Sequence, residues 1–159
     1  MKKFFAILAL ALVAFVACGP QEQGGVKGPV SVVNGEWHVV EWDGEAPAFD
    51  VYIKFKDGNF EIYQQVYSLN YVNYNGTYSV TDSTLSGVYT SGSKWACDYD
   101  FSVEKREFTK DDKTYKANAL VLTSCEKSSI KSIYEESKIP QAIIDEASKT
   151  RACEFTPFL

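Results

Sequence analysis

His38 is the chain's one histidine, so any Ser-His-Asp or Cys-His arrangement would have to be built on it. On a strand it points away from Trp37 and Val39, on the side of Val40 and Trp42, which reads as a surface or rim position. One histidine excludes a two-histidine metal site, and no Cys-x-x-Cys is present. Nor is there a Gly-rich phosphate loop, a Gly-x-Ser-x-Gly or a His-Glu-x-x-His. Carboxylates pair at Asp98/Asp100, Asp111/Asp112 and Glu135/Glu136. Asp98 and Asp100, two apart, share one strand face, a spacing that a two-carboxylate hydrolase or a Ca²⁺ site could use. Solvated faces and turns explain most such pairs. We expect no catalytic residue, no metal and no cofactor, and hence no enzyme.

The aromatic residues carry more information. Trp37, Trp42, Tyr52, Phe55, Phe60, Tyr63, Tyr78 and Phe101 are the candidates for the lining of a barrel interior. In a narrow barrel such side chains fill the core. In a wider one they line a mouth for an apolar or amphipathic ligand. All-β cores use Tyr routinely, which favours filling.

These residues sit in a chain of three unequal parts. Lys2 and Lys3 precede an apolar run from Phe4 to Val16. That run is too short to span a membrane comfortably and fits a secretory signal. It ends in Phe15-Val16-Ala17-Cys18-Gly19, which resembles a bacterial lipobox, although Phe15 stands where Leu is usual and Val16 is bulky. The resemblance implies cleavage after Ala17 and acylation of Cys18, with the acyl chains holding the protein at a membrane. An ordinary signal peptide is the alternative. Residues 1–17 are therefore expected to be the leader, 18–31 a Gly-containing tether and 32–159 one domain. The whole chain has a net charge of -5, and loss of Lys2 and Lys3 makes the mature chain -7. Such a surface is a poor partner for nucleic acid.

The domain reads as strands. Val51, Ile53 and Phe55 alternate with polar neighbours, as do Phe60, Ile62 and Val66, and Asp57-Gly58 separates the two runs, a hairpin signal. Further strands are expected over Tyr67–Tyr74, Gly76–Val80 and Thr84–Thr90. Trp95–Thr109 and Thr114–Ser124 flank a turn at Asp111-Asp112, and a last strand covers Ile130–Glu135. Pro140 opens a helix to about Thr150, with Ile139, Ile143, Ile144 and Ala147 on one side. Eight or nine short strands with one helix predict an all-β barrel or sandwich.

Asn34-Gly35-Glu36-Trp37 matches the Gly-x-Trp start of lipocalin-like barrels. Asn75-Gly76-Thr77-Tyr78-Ser79-Val80-Thr81-Asp82 and the closing Ile133–Pro140 are similar to elements of lipocalin-like lipoproteins of Bacteroidetes-type bacteria. The resemblance implies an antiparallel up-and-down barrel of eight to nine strands with a C-terminal α-helix, its motif Trp packed across the closed end. It brings a fold more than an activity. Asn75-Gly76-Thr77 and Asp82-Ser83-Thr84 also match short glycosylation sequons, both of which match by chance often.

Cys97, Cys125 and Cys153 remain once Cys18 is lipidated, an odd number for an oxidising compartment. A two- or four-residue loop at Asp111-Asp112 sets Phe101 opposite Leu122 and Val103 opposite Leu120. Cys97 then points inward and Cys125 outward, which favours a Cys125–Cys153 bridge and a buried Cys97 thiol. A slip of one residue would instead set Cys97 opposite Cys125.

The expectation is a lipid-anchored envelope protein, on the periplasmic face or the surface of a Gram-negative bacterium, binding a small apolar or amphipathic molecule in its barrel. The alternative is a non-catalytic module for an envelope protein partner, as an accessory subunit or inhibitor.

Overall fold

The computed structural model describes residues 30–66, 68–126, 130–150 and 156–159. The expected leader, Cys18, most of the tether and Cys153 lie outside the described residues.

Eight strands run in chain order: β1 (Gly35–Trp42), β2 (Asp50–Lys56), β3 (Asn59–Gln65), β4 (Val72–Thr81), β5 (Thr84–Tyr89), β6 (Tyr99–Lys110), β7 (Lys113–Ser124) and β8 (Lys131–Glu136). Each pairs antiparallel with the next, and β8 pairs back to β1, so the sheet closes into an up-and-down barrel. A 3-10 helix, Val30–Val33, precedes β1. A short helix, α1 (Gln141–Ala147), follows β8 and stops before Thr150.

The turns explain why the strands reverse where they do. Asp57-Gly58 and Asp111-Asp112 both have positive φ at each residue, the backbone that a two-residue hairpin needs to match strand twist. Asp is one of the few residue types with a side chain that visits this region readily. The β6–β7 turn sets Phe101 opposite Leu122 and Val103 opposite Leu120, the register that apolar matching favours.

Inside the barrel, alternate residues converge. Ile53, Phe55, Phe60, Ile62, Leu85, Leu120, Leu122 and Tyr134 are among its fully buried side chains. Trp37 crosses one end, its indole N–H donating to the Val33 carbonyl at 3.0 Å. Tyr78 closes the same end, its hydroxyl donating to the Val30 carbonyl at 2.8 Å.

Two expectations about the strands are corrected. Tyr67–Tyr74 and Gly76–Val80 are not two strands, because β4 continues unbroken through Asn75-Gly76. A Cβ on Gly76 would stand 2.1 Å from the Val88 carbonyl oxygen, so this glycine permits the close approach of β5. Trp95 does not begin a strand, and β6 starts at Tyr99. Trp95 instead turns inward from a loop and covers Gly87. Strands β6 and β7 are longer than the barrel is tall. Only Thr84 and Leu85 of β5 pair with β6, and only Ala119–Thr123 of β7 pair with β8. The rest of the hairpin is an arm that curls over the outer wall, where Phe108 packs with Val40 and Ile133.

Candidate functional site

The end of the barrel opposite Trp37 is its mouth. Strict alternation along β1 would turn Trp42 outward with His38. A β-bulge between Val39 and Glu41 shifts the register against β8, so that Trp42 lies opposite the inward-facing Ser132. Trp42 then meets Phe49 at 5.7 Å and Phe158 at 5.0 Å between ring centroids, and Phe49 meets Phe158 at 5.3 Å. These three rings border an open groove of about 1040 Å³, whose rim includes Val66 and the almost fully exposed Leu69.

Below the groove the chain's last described residues enter the barrel. Leu159 is buried in the main core. Gln64 lies on the inward face of β3 with Phe60 and Ile62 and is 2% exposed. Its side-chain N–H donates to the Thr156 carbonyl at 2.8 Å, and its side-chain oxygen accepts from the Phe158 N–H at 2.7 Å. The Tyr89 hydroxyl donates to a main-chain oxygen of Leu159 at 2.6 Å. Burial pushes the Tyr89 hydroxyl well above the ordinary tyrosine range, so it remains a proton donor. Deeper still, the buried Trp95 indole N–H finds no acceptor among the described residues.

Of the expected lining residues, Trp37, Phe55, Phe60 and Tyr78 are buried in the interior core, Phe101 packs against it and Trp42 stands at the mouth. Tyr52 and Tyr63 are corrected, because both lie on the outer wall. They alternate with Ile53 and Ile62, which take the inward positions, and they pack under α1 with Ile139 and Ala147. Sequence reasoning missed Gln64. A Gln on an alternating strand reads as solvent-facing, although its spacing from Phe60 and Ile62 is the inward one.

On the outer wall, His38 sits in a small polar cluster. Its Nε2 lies 2.6 Å from Asp50 Oδ1, and its ring stacks on Tyr52 at 4.3 Å. Tyr71 donates its hydroxyl to the other Asp50 oxygen. Burial alone would raise the Asp50 carboxyl. The hydrogen bonds from His38 and Tyr71 outweigh it and hold the group below the ordinary aspartate value. Burial and the Asp50 acceptor push the Tyr71 hydroxyl up. His38 and Asp50 face a cleft of about 960 Å³ between the wall and the β6–β7 arm. The described partners of His38 are thus the Asp50 carboxylate and the Tyr52 ring.

Asp98 and Asp100 are both exposed, and Asp100 accepts a hydrogen bond from Thr84 at 3.4 Å. Among the described residues no group of three His, Cys, Asp or Glu could hold a metal ion. Cys97 and Cys125 are unbridged to one another. Cys97 is half-buried with its Sγ 3.2 Å from Ser124 Oγ, and Cys125 is exposed. The expected partner of Cys125, Cys153, lies outside the described residues. No described helix is long and apolar enough to cross a membrane.

Compared with protein-family models, with curated proteins and with solved structures, the chain gives no match.

Proposed function

We propose that the protein is a non-catalytic binding protein of a Gram-negative cell envelope, anchored by lipid on Cys18, which takes a small apolar or amphipathic molecule at the mouth of its barrel. The observation that carries this reading is the Trp42–Phe49–Phe158 cluster bordering an open groove above a filled core. Rigid aromatic rings around a concavity give an amphipathic molecule apolar contact with little loss of side-chain freedom. The closed topology, with Trp37 across the opposite end, supports the likeness to lipocalin-like lipoproteins. Because buried side chains occupy the interior, this reading puts the ligand at the mouth and not at the centre of the barrel, where the sequence suggested it.

The test is native mass spectrometry of the Cys18→Ser chain, followed by titration with a long-chain fatty acid while Trp fluorescence is monitored. A co-purified mass or saturable quenching supports the reading, and the absence of both overturns it. The same substitution is expected to move the protein from the membrane fraction to the soluble fraction. Metabolic labelling with a tagged fatty acid that marks the unaltered chain and Cys18→Ser equally would remove the anchor from the proposal.

A second reading, a module for an envelope protein partner, is favoured by one feature, the packed interior itself. It predicts a specific crosslinked partner and no small-molecule binding.

A further inference from the structure

The last four residues are held in an unusual way. Residues 156–159 belong to no strand. Their backbone is instead read by two side chains. The Gln64 carboxamide offers one donor and one acceptor to the carbonyl of Thr156 and the N–H of Phe158, at 2.8 and 2.7 Å. These are the groups, two residues apart, that an extended chain presents on one side to a neighbouring strand. Pro157 lies between them, and none of these contacts calls on an N–H at that position. Tyr89 adds a third bond, to a main-chain oxygen of Leu159 at 2.6 Å.

The side chains are received by separate sockets. Phe158 enters the mouth between Trp42 and Phe49, and Leu159 descends into the core, where it is 3% exposed. Gln64 is nine-tenths or more buried, and burial of an amide is costly unless its hydrogen bonds are made. Its two described bonds both go to this segment. The position is therefore tuned to an extended peptide backbone, a demand that a hydrocarbon ligand would not meet.

We propose that the mouth is a recognition site for an extended peptide, and that residues 156–159 are its occupant in cis. The ligand class is a short segment with an aromatic residue followed by an aliphatic one, with proline tolerated before the aromatic. Gln64 and Tyr89 supply the backbone contacts, and the Trp42–Phe49 ring pair supplies the side-chain specificity. This rests on the reading of the mouth as the binding end and names the ligand class that the end recognises. A tethered occupant competes at an effective concentration on the order of millimolar, so a free peptide meets the site mostly filled.

The experiment uses the full chain carrying Cys18→Ser and an acetylated, fluorescently labelled peptide containing Thr-Pro-Phe-Leu, read by polarisation. Loosening the tail with Phe158→Ala and Leu159→Ala is expected to tighten peptide binding at least tenfold over the unaltered tail. Adding Gln64→Ala is expected to remove that gain. Equal binding with either tail, no binding to the loosened chain, or a gain that survives Gln64→Ala overturns the proposal. If the loosened chain does not fold, the peptide is added during refolding. Recovery of the circular dichroism of the unaltered chain then supports the site, and no recovery overturns it. A long-chain fatty acid titrated into the chain with its unaltered tail, Phe158 included, separates the two claims. Fatty-acid binding without peptide binding leaves the mouth as a binding end and overturns peptide recognition, and binding of neither overturns both.

Discussion

Asp50 shows how one carboxylate can organise a patch of wall. It receives His38 on one oxygen and Tyr71 on the other, and so ties β1 to the chain leading into β4. A carboxyl held below its unfolded value stabilises the fold above that value, about pH 3.9 for a free aspartate. The contribution is lost as pH falls through the folded value. Asp50→Asn is expected to cost about 1.5–3 kcal/mol at pH 7, the range for hydrogen bonds to a charged group. Urea unfolding at pH 7 and at pH 3 checks this. The gap between variant and wild type should shrink at pH 3, and an unchanged gap would remove the charge from the account. His38 and Asp50 were each visible as residues, but their meeting was not, because they are brought together across a strand pair. Tyr52 and Tyr63 misled for a related reason. A tyrosine carries both an apolar ring and a polar tip, so its type does not say which wall it faces. Its parity against Ile53 and Ile62 does.

The strands themselves were legible wherever an Asp-containing turn separated two alternating runs. The β2–β3 and β6–β7 hairpins follow directly from Asp57-Gly58 and Asp111-Asp112. Legibility stopped at elements set by contacts distant in the chain. The bulge in β1 turns Trp42 inward without any local mark, and Gly76 sits inside β4 because of a neighbour in β5. Two glycines allow this to be tested. A Cβ on Gly87 would meet the Trp95 ring at 2.1 Å, whereas one on Gly76 would meet the Val88 carbonyl oxygen and, at 2.8 Å, the Tyr89 Cα. A side chain can swing aside more easily than two strands can part. Gly87→Ala is expected to cost about 1–3 kcal/mol, the usual range for overpacking, and to alter Trp95 fluorescence. Gly76→Ala should cost more and leave that fluorescence less changed. Urea midpoints rank the two, and the reverse order would place the strain elsewhere.

At the scale of the molecule, closure divides the chain into a protected ring and a projecting arm. Tyr52–Phe55 of β2 and Asn59–Gln64 of β3 have neighbours on both sides, while much of the β6–β7 hairpin is bonded only to itself. Amide hydrogen exchange should therefore find the ring protected up to the global unfolding free energy. The arm from about Glu104 to Asn118 should open well below it. Uniform protection of both would mean that the arm is locked to the wall more firmly than Phe108 alone explains. The overall architecture was legible because it repeats one local device, the turn between alternating runs. The plugged mouth was not, since it depends on residues 64, 89 and 156–159 converging from three distant stretches. The arm also has a consequence for how copies of this protein behave when crowded. A closed ring has no border to which another chain can add, but a hairpin longer than its barrel reopens one. Along that border stand Glu104, Lys105, Arg106, Glu107 and Lys110, and an Arg106–Glu104 contact of 3.2 Å is among their pairings. Dense alternating charge of this kind works against strand-by-strand addition of a second copy. The edge that the arm exposes is thus also an edge that its own charges defend.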